Sequence, residues 1–229
     1  MKRLFLLMTF SVSVYANAQL ANVNSKVSDN VAVGLTAGAL TPIDFNHSFP
    51  LNANAGLLIT KDISPTFGFQ IEGLAIFNDN RFGSNKTLVK ATNVGLNGGI
   101  NLNNLFGGYR GVLRQFELKI ITGLGWLHIW NYSTNFATAK TGLDFMYNLG
   151  KKKEHSFVIT PAIYWNLNKY GEIKFHRRGA QLGLNFSYLY HLRTSNGTHH
   201  FKTYDVGALL DVIQRLNKEA IKAQELKNE

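Results

Sequence analysis

Residues 93–101, NVGLNGGIN, decide the fold, because small or amide-bearing residues alternate along them with mostly apolar ones. Successive side chains of a β-strand point to opposite faces, so this segment has an amide-lined face and an apolar face. The same alternation recurs about eight times between residues 30 and 191, in blocks of the length that a tilted strand needs to cross a bilayer. The pattern therefore predicts an all-β fold, an eight-stranded antiparallel transmembrane β-barrel over residues 30–191.

The direction of the alternation separates a membrane barrel from a soluble lipocalin-like barrel or sandwich, whose apolar face points inward. Here the apolar face is large and aromatic, whereas the opposite face is small or amide-bearing, which favours the membrane barrel. Aromatic residues near the predicted strand ends are typical of membrane interfaces. The predicted interfacial aromatics are Trp126, Trp130, Trp165, Tyr188 and Tyr190.

Charged and amide side chains on the inward face predict a polar network inside the barrel. An eight-stranded barrel is only wide enough for its own side chains, so we expect these groups to pair across the lumen with neighbouring Asn and Gln residues. That arrangement makes a plug, and a gated path through it is the alternative, in which the protein is a small channel. The predicted lumen network consists of Glu72, Asn93, Asn97, Glu117, Lys119, Lys140 and Asp144.

The connections between strands are predicted from polar and turn-forming residues. Four surface loops are expected near residues 41–50, 79–87, 131–138 and 168–177, where a partner would bind. Pro161 cannot donate to a strand ladder and predicts a bulge or bend. The long connection near residues 103–114 is expected to extend the flanking strands.

The amino terminus predicts export to the bacterial outer membrane. Lys2 and Arg3 precede an apolar run, and Ala16-Asn17-Ala18 supplies small residues for cleavage, so residues 1–18 are predicted to be a cleaved signal peptide, with a lead-in over residues 19–29. The chain has no cysteine, which excludes disulfides and thiol chemistry. The net charge of +10 is scattered, so we expect anionic lipid, including lipopolysaccharide, as a partner and not nucleic acid.

The carboxy-terminal residues change in character. Residues 192–204 form a polar junction, and residues 205–229 predict a periplasmic helix. Apolar residues at three-four spacing favour a short coiled coil, either with a periplasmic protein or with a second copy, and the alternative is a solvated amphipathic tail. The predicted helix seam is Val206, Leu209, Ile213 and Leu216.

The sequence predicts no catalytic, cofactor or metal site. A lipid-modifying outer-membrane enzyme is the alternative, and His128 with Ser133 is its candidate pair. His128 shares the parity of Trp126 and Trp130, which favours an interfacial role. The adjacent His199 and His200 are expected to be solvated.

The junction resembles the OmpA-type outer-membrane proteins of Bacteroidetes, through Ser195-Asn196-Gly197-Thr198-His199, Phe201 and Tyr204-Asp205-Val206-Gly207-Ala208. The resemblance covers the mature barrel and this junction. It implies a non-enzymatic barrel that anchors a periplasmic helix and acts in envelope integrity and surface contact. In such proteins a peptidoglycan-binding domain commonly follows, but none of its residues can be carried over to this chain, which ends at Glu229.

Overall fold

The computed structural model describes residues 20–22, 26–44, 51–78, 88–168, 173–175, 177–195 and 197–228. The predicted signal peptide lies outside the described residues, as do most of the predicted loops at 41–50 and 79–87. The strands are β1 (Leu20–Asn22), β2 (Val31–Pro42), β3 (Asn52–Asp62), β4 (Phe67–Phe77), β5 (Val89–Asn101), β6 (Phe116–Ile129), β7 (Thr134–Leu149), β8 (His155–Asn166), β9 (Ala180–His191) and β10 (Thr203–Asp205), and the helices are α1 (Leu102–Gly107) and α2 (Val206–Asn228).

Strands β2 to β9 form a closed barrel in which each strand is antiparallel to both neighbours. The barrel closes where β2 pairs with β9, with Val33 opposite Tyr190 and Ala39 opposite Leu184. Closure leaves no open edge, because every strand has two partners. The predicted eight-stranded antiparallel barrel is confirmed.

Apolar side chains cover the outside of the barrel, and polar ones lie inside. In β9, Leu184 and Phe186 are 44% and 55% exposed, whereas Asn185 between them is 1% exposed. A soluble barrel would show the reverse order, because its apolar residues fill the interior. The alternation thus has the direction that suits a surrounding lipid phase.

The barrel has two unlike ends. At the terminal end the chain enters β2 and leaves β9, and α1 and the β3–β4 turn lie at the same end. The loop end carries the connections β2–β3, β4–β5, β6–β7 and β8–β9. Of these, the β6–β7 connection is a single tight turn at Trp130–Tyr132, followed by Ser133 in the left-handed conformation. Most of the predicted 131–138 loop is therefore strand, because β7 begins at Thr134.

The long connection at the terminal end is also different from the prediction. It does not extend the strands but turns into α1, whose first turn is capped by the side chain of Asn101, which accepts from the backbone N–H of Asn104 at 3.1 Å. Asn is among the preferred cap residues, so the strand ends and the helix begins at the same side chain. Leu102 is the first helical residue.

Pro161 makes no bulge. Gly142 pairs with Ala162 and Phe145 with Ile159, so the β7–β8 register is the same on both sides of the proline, although the ladder is interrupted there. The register changes instead between β4 and β5, where Ile76 lies opposite Ala91 and Phe77 opposite Val89. Lys90 is the extra residue of this β-bulge.

A segment before the barrel and a segment after it pair in a short ladder that the sequence pattern did not indicate. Strand β1 pairs with β10, with Leu20 opposite Asp205 and Asn22 opposite Thr203. Three residues are too few to show an alternation. Helix α2 follows directly and begins at Val206. Among the described residues, no helix is both long and apolar enough to span a membrane.

Candidate functional site

All predicted lumen residues lie inside the barrel. Six of them are buried, with exposures between 1% and 8%, and the side chain of Lys119 is 13% exposed. The alternation explains this placement, because each of these residues has the inward parity of its strand. Their burial in a narrow barrel requires that each charge find a partner.

A central ion pair crosses the lumen between β4 and β7. Lys140 Nζ lies 2.5 Å from Glu72 Oε2, and both side chains are almost fully buried. Tyr164 Oη donates to Glu72 Oε1 at 3.3 Å and accepts from Asn185 Nδ2 at 3.0 Å. Four strands are thus joined through one carboxylate, which blocks the middle of the barrel with a charged network.

Two further carboxylates form a second group nearer the terminal end. Lys119 Nζ contacts both carboxylate oxygens of Asp62, at 3.1 and 3.2 Å. Glu117 accepts from Asn101 Nδ2 at 2.9 Å and from the backbone N–H of Arg114 at 3.1 Å. The predicted lumen network did not include Asp62. Asp62 is an even number of residues along the strand from Asn52 and Asn54, so all three side chains point to the inward face, and this spacing was the available signal.

The remaining predicted lumen residues differ in their partners. Asp144 Oδ1 accepts from Thr160 Oγ1 at 2.7 Å, and Asn93 Oδ1 accepts from Thr138 Oγ1 at 3.1 Å. Asn97 Nδ2, by contrast, makes no hydrogen bond to the part of the chain that the structure describes. The expected pairing of charges with Asn and Gln therefore holds for Glu117 but not for Lys119 or Lys140, which pair with carboxylates.

The junction after β9 closes the terminal end of the barrel. Phe201 is 6% exposed, its ring meets Tyr109 edge to face at 6.5 Å, and its carbonyl accepts from Tyr109 Oη at 2.8 Å. Burial raises the pKa of Tyr109 well above its ordinary value, so the hydroxyl stays a donor. The α1 side of the closure is held by Arg114, which donates to the carbonyls of Gly107 and Gly108 at 3.1 and 2.7 Å.

The chain that enters the barrel is tied to the chain that leaves it. The Asp29 carboxylate accepts from Ser195 N at 2.7 Å and from Ser195 Oγ at 2.5 Å. These bonds, the hydroxyl first, hold the pKa of Asp29 below its ordinary value of 3.8. Lys61 donates to the carbonyl of Asp29, so the β3 end joins the same cluster.

The sequence predicts that the histidines of the junction are solvated, but the structure shows them partly or fully buried. His199 is 9% exposed, its Nδ1 lies 2.9 Å from the carbonyl of His191, and its Nε2 lies 3.4 Å from Glu154. Burial also lowers the pKa of His200. The reason is the closure itself, which folds the junction back onto the barrel. Groups of three or more His, Asp or Glu residues placed to hold a metal do not occur in the described ranges.

A serine and a histidine do meet inside the barrel, but not the pair that the sequence suggested. His128 Nδ1 lies 2.8 Å from Asn135 Oδ1, whereas Ser156 Oγ lies 2.7 Å from His191 Nε2 and 2.5 Å from Asn148 Oδ1. Ser156 is 0% exposed. A nucleophile needs room for a reacting atom beside it, so this contact is structural.

The loop end of the interior contains an apolar cluster, which the sequence analysis did not predict. Inward side chains above the central ion pair form a buried cluster instead of a small or amide-bearing face. They surround a cavity of about 240 Å³, called here the loop-end cavity. The cluster consists of Leu40, Leu74, Ile76, Ala91, Leu127, Ala162 and Tyr164, with Ile129 and Phe136 packed against it.

The predicted interfacial aromatics lie on the outer surface in two groups. Trp126 and Trp130 are about half exposed near the loop end, and the ring of His128 lies between them, 5.8 and 4.6 Å from theirs. Trp165 is near the same end, where its ring contacts Phe175. Tyr188 and Tyr190 lie near the terminal end, and Tyr188 Oη lies 2.6 Å from His155 Nδ1.

The helix seam is only partly described. Ile213 and Leu216 are 45% and 58% exposed, whereas the side chains of Val206 and Leu209 lie outside the described part. Leu210 and Ile221 are exposed as well, at 52% and 56%. The apolar face of α2 is thus wider than the predicted seam.

Comparison with known proteins identifies the fold. No protein-family model matches the chain, and no curated protein sequence matches it. Among solved structures, Neisserial surface protein A has a TM-score of 0.50 at 7% identity, with coverage of 71% of this chain and 97% of that chain. The amino-terminal barrel domain of OprF from Pseudomonas aeruginosa has a TM-score of 0.43 at 12% identity, with coverage of 71% and 98%. The likeness to Neisserial surface protein A shows that the two chains share a small β-barrel fold.

Proposed function

We propose that this protein is a non-enzymatic outer-membrane anchor, in which the barrel of residues 30–191 holds the helix of residues 205–229 in the periplasm. One observation carries the proposal, namely a closed barrel whose outside is apolar and whose inside is blocked by paired charges. An apolar exterior suits a lipid environment, and a blocked interior suits anchoring better than transport.

The proposed orientation places the loop end at the cell surface and the terminal end in the periplasm. A signal peptide at residues 1–18 would deliver the chain, and the resemblance of the junction to OmpA-type proteins of Bacteroidetes supports the placement of the helix. Outer-membrane lipid, including lipopolysaccharide, is then the partner of the exterior, with aromatic side chains at both interfaces. Nucleic acid is not among the proposed partners.

Membrane insertion is tested by the mobility of the protein on SDS gels. We expect it in isolated outer membranes, with a band that migrates differently before and after boiling, because a closed barrel resists detergent until heated. A matched control is the double variant Leu184→Asn/Phe186→Asn, which makes the lipid face polar without altering an inward residue. A wild-type protein recovered from the periplasm without a mobility shift would overturn the proposal.

Conduction is the second candidate function, and the interior argues against it. The Glu72–Lys140 pair blocks the middle of the lumen, and Tyr109 and Phe201 cover the terminal end. We therefore expect no discrete conductance steps in planar bilayers. Steps in the wild-type protein that disappear in a variant with a bulkier interior, Gly95→Leu, would establish a channel instead, because a side chain at the inward Gly95 meets no backbone clash at its Cβ.

The tether is tested with a photo-crosslinking amino acid in α2. Placed at Ile213, on the apolar face, it should capture a periplasmic protein or a second copy of this chain. The matched control is Asp211, which lies on the opposite side of the same turn and is also exposed. Equal capture from both positions, or none from either, would support a solvated tail.

The absence of enzymatic activity is part of the proposal. In a strain that lacks the protein, lipid A and phospholipid composition should match those of the parent. An altered lipid A that is restored by the wild-type chain but not by Ser156→Ala would assign catalysis to the buried Ser156–His191 contact.

A further inference from the structure

The loop-end cavity differs from the rest of the interior in being open space with apolar walls. Leu74, Leu127 and Phe136 contribute to these walls, and the cavity measures about 240 Å³. Its floor is the ring of Tyr164, whose hydroxyl is fixed by Glu72 and Asn185. Since the network below that ring fills the lumen, the cavity has a closed bottom and is a site, not a path.

The rim of the cavity carries a cation whose position depends on the β-bulge. In β5, Ala91 and Asn93 point inward, so an uninterrupted strand would direct Lys90 outward. The bulge between Ile76–Phe77 and Val89–Ala91 adds one residue, and Lys90 turns to line the cavity beside Ala91. Bulges re-aim side chains in this way next to binding sites.

The cation is only weakly engaged by the protein. Lys90 Nζ donates to Asn52 Oδ1 at 3.1 Å, and Asn52 itself is 9% exposed. Within the described ranges, no Asp or Glu oxygen lies within 4.0 Å of Lys90 Nζ. By contrast, Lys119 and Lys140 inside the same barrel each have a carboxylate partner. An ammonium group at an apolar mouth retains the capacity to bind an anion.

We propose that the loop-end cavity binds a compact organic acid, with its apolar body among Leu74, Leu127 and Phe136 and its anionic group on Lys90. A cavity of about 150 Å³ holds benzene, so this one accommodates about ten non-hydrogen atoms. That size fits an aromatic or short branched carboxylate and is too small for a complete lipid. Asn52 and Asn93 also line the cavity, and their amide N–H groups can donate to the carboxylate.

The inference goes beyond the anchoring role and does not depend on it, because binding is measured on the isolated full-length barrel. The probe is 4-bromobenzoate, which has ten non-hydrogen atoms and an anomalous scatterer. The protein is placed in nanodiscs for binding measurements, so that no detergent competes, and crystals soaked in the probe locate the bromine. We expect the bromine among the apolar walls and the carboxylate on Lys90.

Two variants and two probes separate the parts of the site. Lys90→Gln should weaken 4-bromobenzoate binding about tenfold, through loss of a charge-assisted hydrogen bond, while leaving the affinity for neutral 4-bromobenzyl alcohol unchanged. Ala91→Leu, which fills the cavity from inside, should abolish binding of both probes. The matched control is Ala75→Leu, the same change on the outward face of β4, which should leave binding unchanged.

The outcomes that overturn the proposal are specific. Equal affinity of the wild-type protein and Lys90→Gln for the carboxylate would remove the role of the cation. A bromine peak on the lipid face, or loss of binding in Ala75→Leu but not in Ala91→Leu, would place the probe outside the cavity. The heat-dependent gel shift of each variant shows that its barrel has closed, so a folding failure is not mistaken for a binding result.

Discussion

The two halves of the barrel interior differ in the side chains at their inward-facing positions. Toward the terminal end, Lys119, Glu117 and Asp62 all have close polar partners, and they lie beside a second apolar cluster of Ala32, Leu58, Met146, Val158 and Leu189. Toward the loop end, Leu, Ile, Ala and Phe side chains form an apolar cluster, and together with polar residues such as Asn52, Lys90 and Asn93 they line a cavity of about 240 Å³. The central Glu72–Lys140 pair separates the two halves.

This difference shows that the terminal end of the barrel is closed, whereas the loop end contains a cavity. Directional contacts in the polar half fix the junction and α1 over the terminal end. Apolar contacts in the other half are less directional and so can surround unfilled space. Loss of one partner should therefore be costly in the polar half, where a buried charge or donor is left unpaired.

The largest effect is expected when one member of the central ion pair is removed. Glu72→Gln leaves the buried ammonium group of Lys140 without the carboxylate that contacts it, which should lower the free energy of unfolding by about 3–5 kcal/mol. The measurement is urea unfolding of the barrel folded into lipid vesicles, monitored by tryptophan fluorescence.

The control is the double variant Glu72→Gln/Lys140→Met, which removes both charges. It should recover most of the stability lost in Glu72→Gln, because the cost comes from the unpaired charge and not from the missing contact. If the double variant is as unstable as the sum of the two single ones, the two groups do not act as a pair.

A smaller effect should separate two buried asparagines. Asn101 donates to Glu117 and caps α1, so Asn101→Ala should cost about 2–3 kcal/mol. Asn54 is 3% exposed, and neither of its side-chain polar atoms bonds to a described group. Asn54→Ala should therefore cost less than about 1 kcal/mol. Equal losses in the same urea experiment would contradict the difference between paired and unpaired amides.

The tie between the entering and leaving chain predicts a modest, pH-dependent effect. Ser195 holds the pKa of Asp29 below its ordinary value, so the ionised form is favoured in the folded state. Its contribution is present at neutral pH, and it is lost as the pH falls below the ordinary value and through the lower folded-state pKa. Opening of the junction, measured by amide hydrogen exchange, should become easier by about 1–2 kcal/mol in Ser195→Ala at about pH 6.

The matched variant Asp29→Asn should abolish the acid dependence of that opening. Wild-type and Ser195→Ala proteins should converge once the pH lies below the lowered folded-state pKa of Asp29, where the carboxyl group is protonated in both. A difference that persists unchanged at that pH would mean that Ser195 acts through packing and not through the carboxylate.

The barrel itself was predictable from the sequence because one rule governs every strand. The alternation from Ala180 to Tyr190 corresponds to β9, and parity alone places Glu72, Glu117 and Lys140 inside. Which inward groups meet was not predictable. The contact of Lys119 with Asp62 joins residues from β6 and β3, which are not neighbouring strands, so it depends on the stagger of the whole closed sheet.

Features shorter than the alternation, or opposed to it, could not be found from the pattern. The β1–β10 ladder has three residues in each strand, and α1 has six residues after a long strand. The bulge at Lys90 breaks the parity that predicts an outward side chain. The inward Leu74 and Leu127 satisfy the strand period, but their apolar character is unusual for the polar face, and only closure of the barrel shows that they meet.

The smallest effect on the barrel should come from exposed apolar residues that lie outside it, those of α2. Ile213→Glu changes a side chain that is 45% exposed on a helix outside the barrel, so the free energy of barrel unfolding should change by less than about 0.5 kcal/mol. If α2 binds a partner through this face, the same change should abolish crosslinking from the neighbouring Leu216. Asp211→Lys, on the opposite side, should leave both measurements unchanged. A barrel destabilised by Ile213→Glu would show instead that α2 packs against the strands. The barrel and the helix would then form one folding unit, and the helix would not be a separate tether.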